Sequence, residues 1–462
     1  MIWVSLTIMI CTIVISAACL RSWRWDALGI PVIAIGIFAF IYVIQPVQLI
    51  WSDTYRLFLT DWQMSEGILV SALMLACFIL GWLLPARGGP GMAAPWDLRA
   101  IWNFGFGAAC VGLLLYVIFI ERSGGFATAY GQAHGHGMAW EKNTAYVYDG
   151  PWLMLSGAVM MIFGERKLRT RQWRAFVPYG FLILYLADAI MGGDRSNLFE
   201  VMSVALLGHS IARRRRVDLW QAFGVMLVAG IAIIIVFSNR DRIHLGEEDS
   251  GRVQSSSEAF NGLVGTSELD REHGTTGQEF LYHAVELATV DKTGKLDYGV
   301  GWIEFLVINP IPKLLWPEKA YPPSPGINWA DIQEQTSLRI SSGSAPGIVG
   351  DLYIRFHLLS ALFFFGLGFA LRRLFIAACN LVSPVAAVAY VMVYAVSLMM
   401  FAQGFGAIFV PMAYSMAPVL LYSWFTSESR KKAGERQRQL IAHQLAALRQ
   451  HAAVLHEGQW LS

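Results

Sequence analysis

The chain has 462 residues, of which 55% are hydrophobic and 15% charged, and its formal net charge is +2. Soluble domains carry about a quarter charged residues, so this composition excludes an ordinary water-soluble globule and makes lipid the expected solvent. Nucleic acid is not an expected partner, and the five cysteines (Cys11, Cys19, Cys77, Cys110, Cys379) lie in apolar runs without metal-ligand spacing, as packing residues rather than a disulfide framework.

A membrane-crossing helix needs about 20 mostly apolar residues, because in hydrocarbon only a helix satisfies its own backbone. The sequence therefore predicts an all-α polytopic membrane protein with about eleven transmembrane helices, near 2–20, 28–50, 66–85, 101–120, 150–164, 175–192, 197–212, 219–238, 352–371, 382–402 and 405–425. The N-terminal stretch lacks a basic n-region and reads as an uncleaved first span. Four regions follow: spans one to eight over 1–238, a large loop over 239–350, spans nine to eleven over 351–427, and a cytoplasmic amphipathic tail over 428–462. In the tail, Ile441, Leu445, Leu448, Ala452 and Leu455 recur between charges, a pattern for surface contact or weak self-association.

Basic residues concentrate in every second short loop, at Arg21 and Arg24, Arg87 and Arg99, Arg166 to Arg174, Arg213 to Arg216, Arg372 and Arg373, and beyond Arg430. That bias marks the cytoplasmic side, with the N-terminus outside and the C-terminus inside. The outer face then receives residues 51–65, the Gly-rich stretch SGGFATAYGQAHGHGMAWEKNTAYVYDG, the turn GGDRSN and the long loop. Within that loop, TGQEFLYHAVELATVDKTGK has helical periodicity, and VGWIEFLVINPIPKLLWP is apolar but too short to cross, which suits a re-entrant or interfacial helix.

Three outer constellations carry candidate chemistry. In Gly192-Gly193-Asp194-Arg195-Ser196-Asn197, Arg195 either clamps a phosphate with its planar fork of donors or snorkels and pairs with Asp194. From Asn309 onward, NPIPKLLWPEKAYPPSPG and SSGSAPGIVGDLYIRFH bring Lys313, Lys319, Arg339 and Arg355 to one region, suited to an anionic headgroup or to anionic lipid; Asp351 and Arg355 are also i, i+4 salt-bridge partners. In the Gly-rich loop, His134 and His136 with Glu141 lack a third metal ligand, so no metal is expected; Tyr130, Trp140, Tyr146 and Tyr148 suit either sugar stacking or an interfacial belt.

At these residues the chain resembles the O-antigen polymerase (Wzy-type) family of oligosaccharide repeat-unit polymerases. GGDRSNLFEVM resembles the family's Gly-x-Arg-Ser turn, NPIPKLLWPEK its Ile-Pro-x-x-x-Trp-Pro-x-Lys segment, and SAPGIVGDLYIRFH its Ser-Pro-x-x-x-Gly-Glu-x-Tyr-x-x-Phe-Gly segment, in the same order. Asp351 stands where the family has Glu, His357 where it has Gly, and Lys313 where Arg is common. The resemblance covers spans six to nine. It implies a GT-C-like bundle in the bacterial inner membrane with a large, partly helical periplasmic loop. It also implies transfer of a growing glycan from undecaprenyl diphosphate to the non-reducing end of another lipid-linked repeat unit. No cofactor or metal is implied; partners are undecaprenyl-diphosphate-linked oligosaccharides, membrane lipids and a chain-length regulator. Asp351 is the expected base, with His357 and Glu279 as further candidates and Arg195 as the catalytic cation. Arg339, Arg355, Lys313, Lys319, Tyr353 and Asp194 are the expected substrate-binding residues. An O-antigen ligase-like transferase and a polysaccharide transporter or flippase are the alternatives; intramembrane Asp188 and Glu200 belong to the transporter case.

Overall fold

The structure is a computed structural model that describes residues 1–22, 29–85, 96–125, 129, 145–165, 172–192, 195–214, 279–308, 311, 316, 318, 324–336 and 345–427. Predicted span eight, most of the Gly-rich loop and the tail lie outside them. Every regular element among the described residues is helical. In chain order we label α1 (Ile2–Ser22), α2 (Ile30–Trp51), α3 (Asp61–Leu83), α4 (Leu98–Arg122), α5 (Gly150–Glu165), α6 (Gln172–Gly192) and α7 (Arg195–Ala212). These are followed by α8 (Glu279–Thr293), α9 (Trp329–Thr336), α10 (Gly347–Phe356), α11 (Ser360–Cys379), α12 (Pro384–Ala395), α13 (Ser397–Gln403) and α14 (Gly406–Ser427).

Among the described residues seven helical stretches are long and apolar enough to cross a membrane, and the pair α12 and α13, bent by 47°, is either a broken eighth span or a re-entrant loop. Helices α5 and α7 stand where the fifth and seventh spans are expected; at 16 residues, α5 is about 24 Å long, short of the roughly 30 Å hydrocarbon layer. Local chemistry sets several starts. Thr60 and Gln63 form a reciprocal capping box on α3, Asp97 accepts from Ala100 N–H at 3.0 Å on α4, and Ser383 accepts from Ala386 N–H at 3.0 Å on α12.

Glycine sets the closest packing. On α4 and α5, a Cβ at Gly105 would lie 2.7 Å from the Gly157 carbonyl oxygen and one at Gly112 2.6 Å from that of Gly150, so the antiparallel backbones touch with no side chain between them. Gly81 and Gly368 do the same for α3 and α11, facing the carbonyls of Phe365 and Phe78. Met74 and Phe78 on α3 meet Ser360 and Gly368 on α11 in the same order, so these two helices run parallel, as the expected alternation requires.

The helical segment expected within the large loop is present, and it packs inside the bundle: Phe280 to Val290 of α8 are all buried, against α3 and α10. Its apolar residues Phe280, Leu281, Ala284, Val285, Leu287 and Ala288 share one face, and the opposite face, with Tyr282, His283, Glu286 and Thr289, is buried as well. Gln45 of α2 fixes its start, accepting from Phe280 N–H at 2.9 Å and donating to Glu279 at 2.5 Å. All five cysteines are free, but Cys11 and Cys110 are exposed rather than packing residues; a small apolar thiol suits a lipid-facing position as well as an interior one.

Candidate functional site

Helix α10 enters the bundle against α8, and glycine makes the approach possible. Gly347, at φ +68°, starts it in a left-handed conformation, and a Cβ at Gly350 would lie 2.9 Å from a Glu286 carboxyl oxygen. One turn later Asp351 is fully engaged. Its Oδ1 accepts from Arg355 Nε at 3.1 Å and Nη2 at 2.7 Å, and its Oδ2 from the N–H groups of Phe405 at 2.9 Å and Gly406 at 3.3 Å. The turn at Gly404, φ +116°, aims those two N–H groups at the carboxylate.

Arg355 has a second carboxylate, Asp297, on Nη1, and its guanidinium lies 5.2 Å from the Trp302 ring centroid. Asp297 in turn accepts from Gly301 N–H at 3.0 Å and Ser324 Oγ at 2.9 Å. With its side chain 11% exposed and two acids flanking it, Arg355 brings no net positive charge to a ligand. The cluster is a latch that ties α10 to the turn before Val300 and to the turn before α14.

A second cluster, at the end of α10, is more open. Tyr353 Oη donates to Asp291 Oδ1 at 2.9 Å, and His357 Nε2 lies 3.0 Å from the same oxygen and 2.8 Å from Tyr353 Oη. His357 sits at φ +50°, where α10 breaks before α11 begins, and its side chain is 41% exposed. With two oxygen acceptors around Nε2, that nitrogen carries the proton; an unprotonated Nε2 would face the carboxylate lone pair to lone pair. The lone pair then falls on Nδ1, which has no hydrogen-bond partner among the described residues. Glu66, in the second turn of α3, interacts electrostatically with Asp291 and His357.

Behind Asp351, His283 and Glu286 of α8 are buried. Burial holds His283 down at about 4, where its Nε2 contacts Ser71 Oγ at 3.2 Å, and pushes Glu286 well above the carboxylate range.

Of the residues expected from sequence, the structure brings Asp351, Tyr353, Arg355 and His357 onto one helix end. Arg195 is the first residue of α7; its side chain, and Asp194, Lys313, Lys319, Arg339, His134 and His136, lie outside what is described. Glu279 is occupied by Gln45. Asp291, Asp297 and Glu66 were not among the expected residues. Glu66 carried a legible signal, a carboxylate just inside a span, whereas isolated acids such as Asp291 and Asp297 in a polar loop carry none. Among the described residues, no three potential metal ligands come together.

No family model, curated protein or solved structure matches the chain. The functional reading therefore rests on the motifs and on this geometry.

Proposed function

We propose that the chain is a membrane glycosyltransferase that moves a growing glycan from undecaprenyl diphosphate to the non-reducing end of another lipid-linked oligosaccharide repeat unit, with His357 as its base. The reading takes the periplasmic face of a bacterial inner membrane as the place of reaction, within a GT-C-like bundle of about eleven spans. The observation that carries it is a half-exposed imidazole anchored through Nε2 to Asp291, with Nδ1 uncommitted among the described residues, at the bundle end that the charge bias puts outside.

The acceptor hydroxyl donates its hydrogen bond to Nδ1 and passes its proton there as its oxygen attacks the anomeric carbon. The bond from that carbon to the diphosphate oxygen breaks, and the electron pair leaves with the diphosphate. Asp291 stabilises the imidazolium that forms. Arg195, Arg339, Lys313 and Lys319 are the cations assigned to the leaving group. Arg355 is not, because Asp351 and Asp297 neutralise it. Asp351, first choice from sequence, has no lone pair left for a hydroxyl.

The test uses the full chain in nanodiscs with a lipid-linked repeat unit. His357→Gln should lower turnover about a hundredfold or more while leaving thermal stability at the wild-type value, the scale expected for a lost general base. Wild-type turnover in this variant removes His357 from the chemistry. A wild-type chain that consumes donor only when a different acceptor is supplied is a ligase; one that consumes none removes the transferase reading.

A further inference from the structure

We infer that α2, α10 and α13 enclose a binding site for one monovalent cation, with Tyr42 Oη and the Phe401 and Ala402 carbonyl oxygens as its ligands and Glu286 as its counter-charge. Asp351 opens this site. The N–H groups of Phe405 and Gly406 would otherwise close the last turn of α13 on the carbonyls of Phe401 and Ala402, four residues back. Both are turned instead to Asp351 Oδ2, at 2.9 and 3.3 Å, and Gly404 N–H bonds the Met400 carbonyl. The Phe401 and Ala402 carbonyls keep no backbone partner among the described residues. They converge with Tyr42 on one place: a Cβ built on Gly347 would lie 3.0 Å from Tyr42 Oη, 3.4 Å from the Phe401 oxygen and 3.7 Å from the Ala402 oxygen, its three nearest contacts. Gly347, at φ +68°, puts no side chain there. Tyr42 is fully buried, and its hydroxyl, near Val349 N–H, completes no hydrogen bond.

Three residues along α10, about 4.5 Å of rise, a Cβ at Gly350 would meet Glu286 Oε2 at 2.9 Å and His283 Nδ1 at 3.2 Å, two more buried atoms without a hydrogen bond. Nδ1 is an acceptor, because Ser71 gives its hydroxyl hydrogen to Gly67 O at 2.8 Å and so takes that of His283 Nε2 at 3.2 Å. Lone pairs thus outnumber protons: two carbonyls and Nδ1 only accept, against one proton on Tyr42 and at most one on Glu286. Charge points the same way. Glu286 interacts electrostatically with Asp351 and Arg355, and with Asp297 these three acids face a single guanidinium. The end of α13 adds partial negative charge and the start of α10 partial positive charge, so the acids set the sign. A cation held by the three oxygens at Gly347 keeps a water on its Glu286 side, and the two hydrogens of that water fit Glu286 Oε2 and His283 Nδ1. One carboxyl group matches a single positive charge; the set of acidic or histidine side chains that a divalent ion gathers is not brought together among the described residues. The α12–α13 pair bends by 47° just before the site, and helix-end carbonyls of broken membrane helices serve as sodium ligands.

The test uses the full chain in detergent, first in choline chloride, with sodium or potassium then exchanged for choline at constant ionic strength. The wild-type melting midpoint should rise saturably by about 2–4 °C with sodium or potassium, the stronger of the two naming the ion. Tyr42→Phe keeps the ring against Phe38 and Phe280 and removes only the hydroxyl ligand. It should raise the half-saturating ion concentration about fivefold or more, the scale of one lost polar contact. Glu286→Gln removes the counter-charge and should abolish the response; if that variant does not accumulate, Tyr42→Phe decides. Three results overturn the site and leave the cluster to water: no shift with either ion in the wild type, a larger shift from calcium or magnesium at matched ionic strength, or an unchanged half-saturating concentration in Tyr42→Phe. Turnover is not read, so the outcome is independent of the transferase reading.

Discussion

Replacing Asp351 by asparagine tests whether its carboxylate is a latch or a base. The side chain accepts four hydrogen bonds, two from Arg355 and two from the turn at Phe405 and Gly406. An asparagine has one acceptor oxygen, so its amide must point either at the two backbone N–H groups or at the guanidinium, donor against donor. Two charge-assisted bonds are lost in either orientation, and Arg355 keeps Asp297 alone. For a side chain 11% exposed, removing one partner of such a pair costs about 3–5 kcal/mol. Asp351→Asn should therefore accumulate poorly and show a clearly lower aggregation midpoint when heated in detergent and followed by fluorescence-detected size exclusion. Any loss of polymer should scale with loss of folded protein. A variant that melts within about 1 °C of wild type yet makes no polymer would refute the latch and return Asp351 to the chemical step.

Two further outcomes concern packing and pH. Gly157→Leu puts a Cβ 2.5 Å from the Gly105 carbonyl oxygen and should abolish accumulation of folded protein, whereas Gly107→Ala, with nothing within 4 Å, should accumulate as wild type in a membrane-fraction immunoblot. His283 titrates at about 4 in the folded chain against 6.5 when unfolded, so the stability it contributes is fully present above pH 6.5 and is lost as pH falls toward 4. His283→Gln should flatten the fall in melting midpoint across that window; an unchanged slope would show that His283 is not its source.

The membrane helices were legible because hydrocarbon imposes one length and one polarity on anything that crosses it. The pairing of Asp351 with Arg355 was legible for a similar reason, since four residues make one helical turn. What that pairing means was not legible. Whether Asp351 is free to act depends on Asp297 competing for Arg355, and on two N–H groups more than fifty residues further on; no local pattern announces either. The α8 segment was readable as a helix, but its destination was not, because a 15-residue helix with one apolar and one polar face suits an interfacial site as well as the space between α3 and α10. The half of the site contributed by Asp291 was hidden with it.

The glycine contact between α4 and α5 bears on how the chain is assembled. A helix of about 24 Å is a poor independent passenger in a bilayer, because its ends would leave polar backbone in hydrocarbon or thin the membrane around it. Nearly every residue of α5 is covered by protein, so its length answers to its neighbours rather than to lipid. Such a helix has little reason to leave the translocation machinery alone. It would partition into the bilayer together with the 25-residue α4, as a hairpin zipped by its glycines. A bulky residue at that seam would then act during biosynthesis, producing a chain that is degraded before the later helices are made rather than a mature protein that melts early.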